Sequence, residues 1–570
     1  MDERSGVPRK KRLLLLSPRD FATTYGDLRH VSHLTGDTGR LLNVALPTLA
    51  ALVPRSELEV DIVDENALDL DPRARWDIVG ITGFPPQLFR ARELAARFRQ
   101  QGSLVVCGGT SVSLSPERWQ GVADVLVLGE AERVWPKLLR DYLDGRIDRS
   151  APQTYQEHER LDLSLTPIPD YAPYGAAQLA RFGGGIVQTS RGCPFECEFC
   201  DAIVFAGRKI RYKPIDTILA ELEQLERLGM RYAYLADDNF GAGRKKAKEI
   251  LRALRDFNRR RARPMPLLTQ LTIDLAADEE FLELSAEAGL TRVFVGLETP
   301  SLESLRETRK LQNVRHDMRE GVRRFQAHGI EVLGGSVVGF DHDGLDIFRR
   351  QLDFFTELGI PSVQVYPLNA PDGTPLKERM IREGRYLDWE TSSAARTQHF
   401  SYFSSFTIEP AQMSQDQLRQ GIHWLLWRLY DWDAFPERLR VFFETYEEGS
   451  SDRKLAIPTR IDRLTPRALV HALANNRDSL MLLARLLRHL ATDAEPAERR
   501  AFFRLIRHAA RSSHPQRWSL AVSAFLTLVN TRRMLLEQVP GIAEATYPSA
   551  REPPPRPPPD VPLHRILRPA

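Results

Sequence analysis

The chain has 570 residues, 42% of them hydrophobic and 27% charged, an ordinary balance for a globular protein long enough to hold two to four domains. Its 79 basic and 76 acidic residues leave a formal net charge of only +3, which makes no case for nucleic acid as a partner. No window approaches the roughly 20 apolar residues that a membrane-crossing helix needs, so no transmembrane segment is expected.

The chain opens on MDERSGVPRKKRLLLLSPRD, a basic patch before four leucines. That run is too short for a signal sequence and ends at Ser17-Pro18, so the expected compartment is the cytoplasm. Over residues 1–150 short apolar runs alternate with helical patterns. Leu13–Leu16, Leu58–Val63, Asp77–Ile81, Leu104–Val106 and Asp124–Leu128 read as buried strands, with amphipathic stretches such as Leu88–Arg99 and Glu130–Tyr142 between them. This alternation implies a doubly wound parallel sheet, which binds ligands at the carboxyl ends of its strands. The loops there include Gly108-Gly109, where paired glycines admit close backbone approach, and Gly129-Glu130. Cys107, ending an apolar strand, reads as a small core residue. Residues 151–183, with LDLSLTPIPDYAPYG, read as a proline-broken connector in which Asp170 and Tyr171 are weak candidates for contact with a ligand.

From residue 184 to about 385 the alternation resumes. Gly185–Thr189 is a first strand, and directly after it RGCPFECEFCD holds three of the four cysteines, Cys193, Cys197 and Cys200, spaced C-x3-C-x2-C. Close-spaced cysteines in a reducing compartment read as metal ligands. Structural zinc usually takes four protein ligands, and no fourth Cys or His follows at finger spacing. A 4Fe-4S cubane also normally takes four thiolates; held by three, it keeps one iron open. A zinc knuckle or chance grouping stays as the alternative. Ile215–Leu228 reads as a helix with Ile218, Leu219, Leu222 and Leu225 on one stripe. Tyr232–Ala236, Leu267–Leu271, Arg292–Leu297, Val332–Val338 and Ser362–Tyr366 read as further strands, and in folds of alternating strands and helices the chemistry sits at the C-terminal strand ends. Those ends carry Asp237-Asp238-Asn239, one set among Thr269, Gln270 and Thr272, then Glu298, and a glycine-rich run including Gly335 and Val338 that can bed a flat base. Helix capping is the alternative for the Asp/Asn run, and a salt bridge for Glu298.

Residues 386–545 turn helical. Gln415–Asp431 carries Leu418, Ile422, Leu425 and Leu429 on one stripe, with Trp424 and Trp427 beside it. Residues 463–545 are a Leu- and Arg-rich helical block including Leu480–Leu490, expected to pack, with a partner or a membrane surface as alternatives. The tail, residues 546–570, contains REPPPRPPPDVP and reads as disordered or polyproline.

The cysteine motif, with Phe199 before its last cysteine and TSRGCP leading in, resembles the signature of radical S-adenosylmethionine (SAM) enzymes. The resemblance implies a 4Fe-4S cluster on Cys193, Cys197 and Cys200, whose open iron takes the amino and carboxylate groups of SAM. An electron, supplied by a donor such as flavodoxin or ferredoxin, then cleaves SAM to a 5′-deoxyadenosyl radical. It also implies a partial (β/α)6 barrel over 184–385, with Asp237, Asp238 and Asn239 near the methionyl amine, Glu298 near the ribose, and Gly335 and Val338 near the adenine. PLNAPDGTP (367–375) is similar to a run common in these proteins.

VVCGGTS (105–111) and DVLVLGEAE (124–132) resemble the cobalamin-binding domain fused ahead of many such enzymes, which points to Gly108, Gly109, Gly129 and Glu130 as pocket residues. The D-x-H-x-x-G motif of that domain is incomplete: His33 and Gly36 keep its second half, Val31 replaces its Asp, and His30 has no such frame. Any cobalamin is therefore expected without a protein imidazole below cobalt, and a domain that binds no corrin stays open. The helical region resembles the extension of the hopanoid-methylase-like and magnesium-protoporphyrin-cyclase-like group, which implies a small-molecule substrate, with lipid-like molecules among the candidates. The implied activity is cobalamin-dependent C-methylation of an unactivated carbon. A radical SAM cyclisation or rearrangement without cobalt chemistry, and a non-catalytic metal-binding protein, are the alternatives.

Overall fold

The computed structural model describes residues 9–19, 28–35, 38–71, 73–388, 406–449, 477–512 and 517–549. In chain order its strands are β1 (Lys11–Ser17), β2 (Leu41–Leu42), β3 (Leu58–Asp64), β4 (Ile78–Thr82), β5 (Leu104–Gly108), β6 (Val125–Leu128), β7 (Gln153–Gln156), β8 (Gly184–Val187), β9 (Ser190–Arg191), β10 (Arg211–Tyr212), β11 (Ala233–Leu235), β12 (Leu267–Leu271), β13 (Leu290–Glu298), β14 (Glu331–Val338) and β15 (Ser362–Pro367). Two parallel sheets result, ordered β3-β1-β4-β5-β6-β7 and β15-β14-β13-β12-β11-β8-β2. The α/β class expected from the sequence is the one that forms.

The unbroken leucines of β1 show why. Leu13 and Leu15 enter one core while Leu14 and Leu16 enter another, all four at 0–1% exposure. A strand covered by helices on both faces has no solvent side, so its sequence need not alternate. In the second sheet the helix Ile215–Arg227 buries Ile218, Leu222 and Leu225 against the strands, with Leu219 partly buried beside them.

Two short strands depart from the expected layout. Leu41 and Leu42, from the N-terminal part of the chain, pair in parallel with Gly184 and Gly185 and add a seventh strand to the second sheet. Gln153–Gln156, inside the stretch expected as connector, pairs with β6 and ends the first sheet. Within the rest of that stretch, Tyr171 is buried and stacked on Tyr174 at 6.3 Å, and Asp170 pairs with Arg55.

The C-terminal part is helical. The helix Gln415–Leu429 begins on a reciprocal capping box between Ser414 and Gln417 and buries Leu418, Ile422, Leu425 and Leu429. Trp424 is buried with its ring edge-on to Tyr547 at 4.8 Å, and the Arg532 guanidinium lies 3.7 Å from the centre of the Trp427 ring. Both tryptophans are packing residues. Leu480–Leu490 falls within the helix Arg477–Thr492. Residues 463–476 and the tail from 550 lie outside the described residues. No helix among the described residues is long and apolar enough to cross a membrane.

Candidate functional site

β8 ends at Val187, and the chain then forms the cysteine loop. Ser190–Arg191 pairs antiparallel with Arg211–Tyr212, so the loop is closed at its base as a hairpin. The Cys193 amide donates to Gly207 O at 3.1 Å, and Gly192 takes φ +103° to make the turn. Asp237, at the end of β11, fastens this base. Its fully buried carboxylate accepts from the Thr189 and Ser190 amides at 2.6 and 3.0 Å and from both hydroxyls. Asp238 accepts from the Gly192 amide at 2.6 Å. Burial pushes both carboxyls above their ordinary range, against the pull of those donors. Of the Asp-Asp-Asn run, the first two members therefore shape the loop from behind.

Asn239 turns toward the sulfur. Its Nδ2 lies 3.9 Å from Cys193 Sγ and donates to Thr272 Oγ1 at 3.2 Å, while its buried Oδ1 has no partner in the protein. Gln270 donates to the Asp237 carbonyl at 2.7 Å, whereas Thr269 is spent on the Leu235 carbonyl. The even-numbered set, Gln270 and Thr272, thus faces the loop.

Cys193 and Cys197 are buried and Cys200 is partly so. Burial raises the thiols of Cys193 and Cys200, the latter to about 12, with Asp201 and the neighbouring cysteines adding to the Cys200 shift. Thiols so disfavoured as free thiolates need a cation to hold them ionised. The donor set fits an iron–sulfur cluster: three sulfurs on one loop, amide N–H groups of Asn239 and Gln312 aimed at two of them, and unpartnered Oδ1 and Oε1 atoms on the same two side chains. Phe199 is partly buried against the Phe340 cluster, its ring 6.4 Å from that of Phe340.

Sequence reasoning missed two residues here. Gln312 Nε2 lies 3.5 Å from Cys197 Sγ, and the Lys310 ammonium is 5.8 Å from the Phe199 ring and buried against Glu298. Burial lowers the Lys310 pKa, but Glu298 and Cys197 outweigh it, so the net direction is upward. Glu298 itself sits at φ +61°, after a register break between β13 and β14. Its carboxylate is committed to a salt bridge with Lys310.

On β14 a Cβ at Gly335 would stand 2.8 Å from the Phe294 ring. Val338 points into the core under the helices, and its neighbour Val337 packs with Phe199 and Phe340 instead. From that strand end, the side chain presented to the loop is Val337 rather than the expected Val338, because successive residues point to opposite faces.

The two sheets face each other across a cavity of about 430 Å³. The first sheet contributes Gly108, Gly109, Gly129 and Glu130, and the second contributes Gln188, Arg191, Lys213 and Asp238. Gly109 takes φ +104°, and a Cβ there would meet Thr82 Oγ1 at 2.8 Å. Glu130 is spoken for: it accepts from Arg191 at 3.1 Å, Arg211 at 2.8 Å and the Leu161 amide at 2.7 Å. Burial works to raise its carboxyl, but Arg211, the Leu161 amide and Arg191 hold it below the usual range. His33 is not part of the cavity lining; its ring stands 5.8 Å from that of His489 in the C-terminal helices. Gly36 lies outside the described residues. Cys107 is fully buried, and burial pushes its thiol far up, as suits a core residue.

The family model of the radical SAM superfamily matches residues 187–354, the span from β8 to the helix before β15. A hopanoid C-2 methylase of Rhodopseudomonas palustris is 32% identical over 66% of this chain and 71% of its own length. The chain belongs to the radical SAM superfamily. As a radical SAM enzyme it uses a 4Fe-4S cluster and SAM. An uncharacterized methyltransferase of Synechocystis is 31% identical over 75% of this chain and 77% of its own. A domain of unknown function, DUF4070, matches residues 374–538 of this radical SAM protein. Among solved structures, the cobalamin-dependent SAM radical enzyme OxsB, with aqua-cobalamin and SAM bound, superposes with a TM-score of 0.56 at 15% identity, covering 93% of this chain and 80% of that one.

Proposed function

We propose that this radical SAM enzyme is a cobalamin-dependent C-methyltransferase acting on an unactivated carbon of a hydrophobic small molecule. The observation that carries the reading is the shared cavity: the Gly108-Gly109 and Gly129 loops of the first sheet open onto the same space as Arg191 and Asp238, which border the cysteine loop. The names of the relatives support it, as does the corrin bound by OxsB.

In this reading residues 1–150 form the corrin module, 184–385 the barrel and 386–545 the helical extension, with β2 tying the first two together. Cys193, Cys197 and Cys200 hold the cluster, which supplies the electron that cleaves SAM. Asn239, with its free Oδ1, and the Gly335–Val337 stretch border the SAM side; Gly108, Gly109 and Gly129 let a flat corrin lie against backbone. The chain's own contribution is orientation and exclusion of water: the first sheet caps the strand ends where the radical forms. An electron carrier and a lipid-like substrate complete the proposal, in the cytoplasm where such a carrier is available.

The test is anaerobic purification, followed by incubation with SAM labelled on its methyl group and a bacterial lipid extract containing hopanoids. Bound corrin visible by absorbance, 5′-deoxyadenosine and label in a lipid product are expected. Deoxyadenosine with no methyl transfer and no corrin would move the assignment to a cyclisation or rearrangement.

A further inference from the structure

We propose, on the reading that Cys193, Cys197 and Cys200 hold a cluster, that electrons enter through one cationic face beside the cysteine loop, formed by Arg208, Lys209, Arg309 and Leu311, and that its partner is a small acidic one-electron carrier protein. The wall between cluster and solvent is one residue thick here. Gln312 touches Cys197 Sγ at 3.5 Å, and the preceding residue, Leu311, is 40% exposed. Lys310 is buried toward the sulfurs, and the preceding residue, Arg309, is exposed. Arg309 holds φ +57°, one of two non-glycine positive values among the described residues. Such a conformation is uncommon for a long side chain and persists only where surrounding structure imposes it. Here it separates two successive cations, sending one inward and the other out.

The second edge of the face comes from the segment after the third cysteine. The Cys193 amide bonds to Gly207 O, Arg208 donates to Pro194 O at 3.3 Å, and Arg208 pairs with Glu196. The two edges meet across the loop, since the Glu198 amide donates to Thr308 O at 3.0 Å. Glu196 offsets Arg208 on this face, but the next two acids are turned away. Glu198 and Glu307 are both drawn to Arg379, at 2.9 and 3.0 Å. Lys209 and Arg309 have no ion-pair partner among the described residues. Redox encounters use small interfaces whose rates depend on charge steering. A cationic rim around an exposed leucine, one residue from the side chain that touches Cys197, fits an acidic carrier. The step moves one electron: the carrier is oxidised by one and the cluster reduced by one, with no bond made or broken.

The experiment follows cluster reduction by absorbance in a stopped-flow instrument, for the reconstituted full chain and for Lys209→Glu/Arg309→Glu, with flavodoxin hydroquinone as the probe. Photoreduced 5-deazariboflavin, small and without a docking surface, is the control. Both proteins must carry equal iron and sulfide; a wild-type chain with neither would instead sink the radical SAM reading. The double charge reversal is expected to slow reduction by flavodoxin about tenfold or more at low salt, to leave reduction by deazaflavin unchanged, and to lose its effect at high salt. Reduction by flavodoxin at the wild-type rate, equal slowing with both reductants, or a wild-type cluster that deazaflavin reduces and flavodoxin does not, would each overturn the proposal.

Discussion

Lys310 and Glu298 form a buried ion pair beside the cysteine loop, each side chain under 10% exposed, although twelve residues separate them in sequence. Glu298 itself and Arg309, the residue before Lys310, are the two non-glycine residues of positive φ among the described residues. Removing one partner of such a pair strands the other charge, at a cost of about 3–5 kcal/mol. Lys310→Met is therefore expected to lower the stability of the cluster-free chain by that order, and Lys310→Met/Glu298→Gln to recover most of it; denaturant titration decides. A cation near the sulfurs also favours the more negative, reduced cluster. Lys310→Met should lower the cluster midpoint potential in a titration followed by electron paramagnetic resonance.

The turn into the cysteine motif depends on Gly192. At φ +103° its missing Cβ would stand 2.5 Å from the Lys209 carbonyl and 3.0 Å from that of Gly207, both rigid backbone. Gly192→Ala must then part β9 from β10 or shift the loop. We expect a loss of more than about 1 kcal/mol and less than half the wild-type iron and sulfide after reconstitution. Wild-type iron retention would show that the loop adapts.

Much of this was legible from residues, and the exceptions share a cause. The leucines of β1 and the cysteine spacing are local signals, each complete within a dozen residues. Lys310 and Gln312 reach the sulfurs only because the segment after β13 folds back, and nothing around them in sequence marks that. Val338 is the residue expected at the site and Val337 is the one there, because a parallel strand buried on both faces shows no alternation to set its phase. The register break at Glu298 compounds this. Leu41–Leu42 is too short to carry any pattern, so its joining of the second sheet was invisible.

Asp343 gives a pH dependence that can be isolated. Its buried carboxyl accepts from the Gly339 and Phe340 amides at 2.9 and 3.1 Å and from Ser304 Oγ at 2.9 Å. Burial nevertheless pushes it from 3.8 up to about 6. A carboxyl raised on folding binds more protons folded than unfolded, so its effect on stability is least harmful below the unfolded value. Stability is lost as pH rises from about 4 to about 6. Asn can keep all three contacts, its amide donating to Ser304. Asp343→Asn should therefore gain on the wild type across that window in thermal melts, and a constant difference would show that Asp343 does not titrate there.

Arg191 joins the two sheets at the cavity, with Glu130 at 3.1 Å and Glu132 at 2.6 Å, both carboxylates under 10% exposed. Glu130 has Arg211 as a second cation, whereas among the described residues Glu132 pairs with Arg191 alone. Loss of Arg191 should thus be felt mainly through Glu132. Arg191→Leu is expected to cost about 3 kcal/mol. A double-mutant cycle with Glu132→Gln should give a coupling of about 1–3 kcal/mol, while the same cycle with Glu130→Gln gives less. Arg191→Lys keeps the charge but cannot span two carboxylates with one planar fork, so it should fall between wild type and Leu. Equal coupling to both glutamates would mean that Arg211 does not stand in for Arg191 at Glu130.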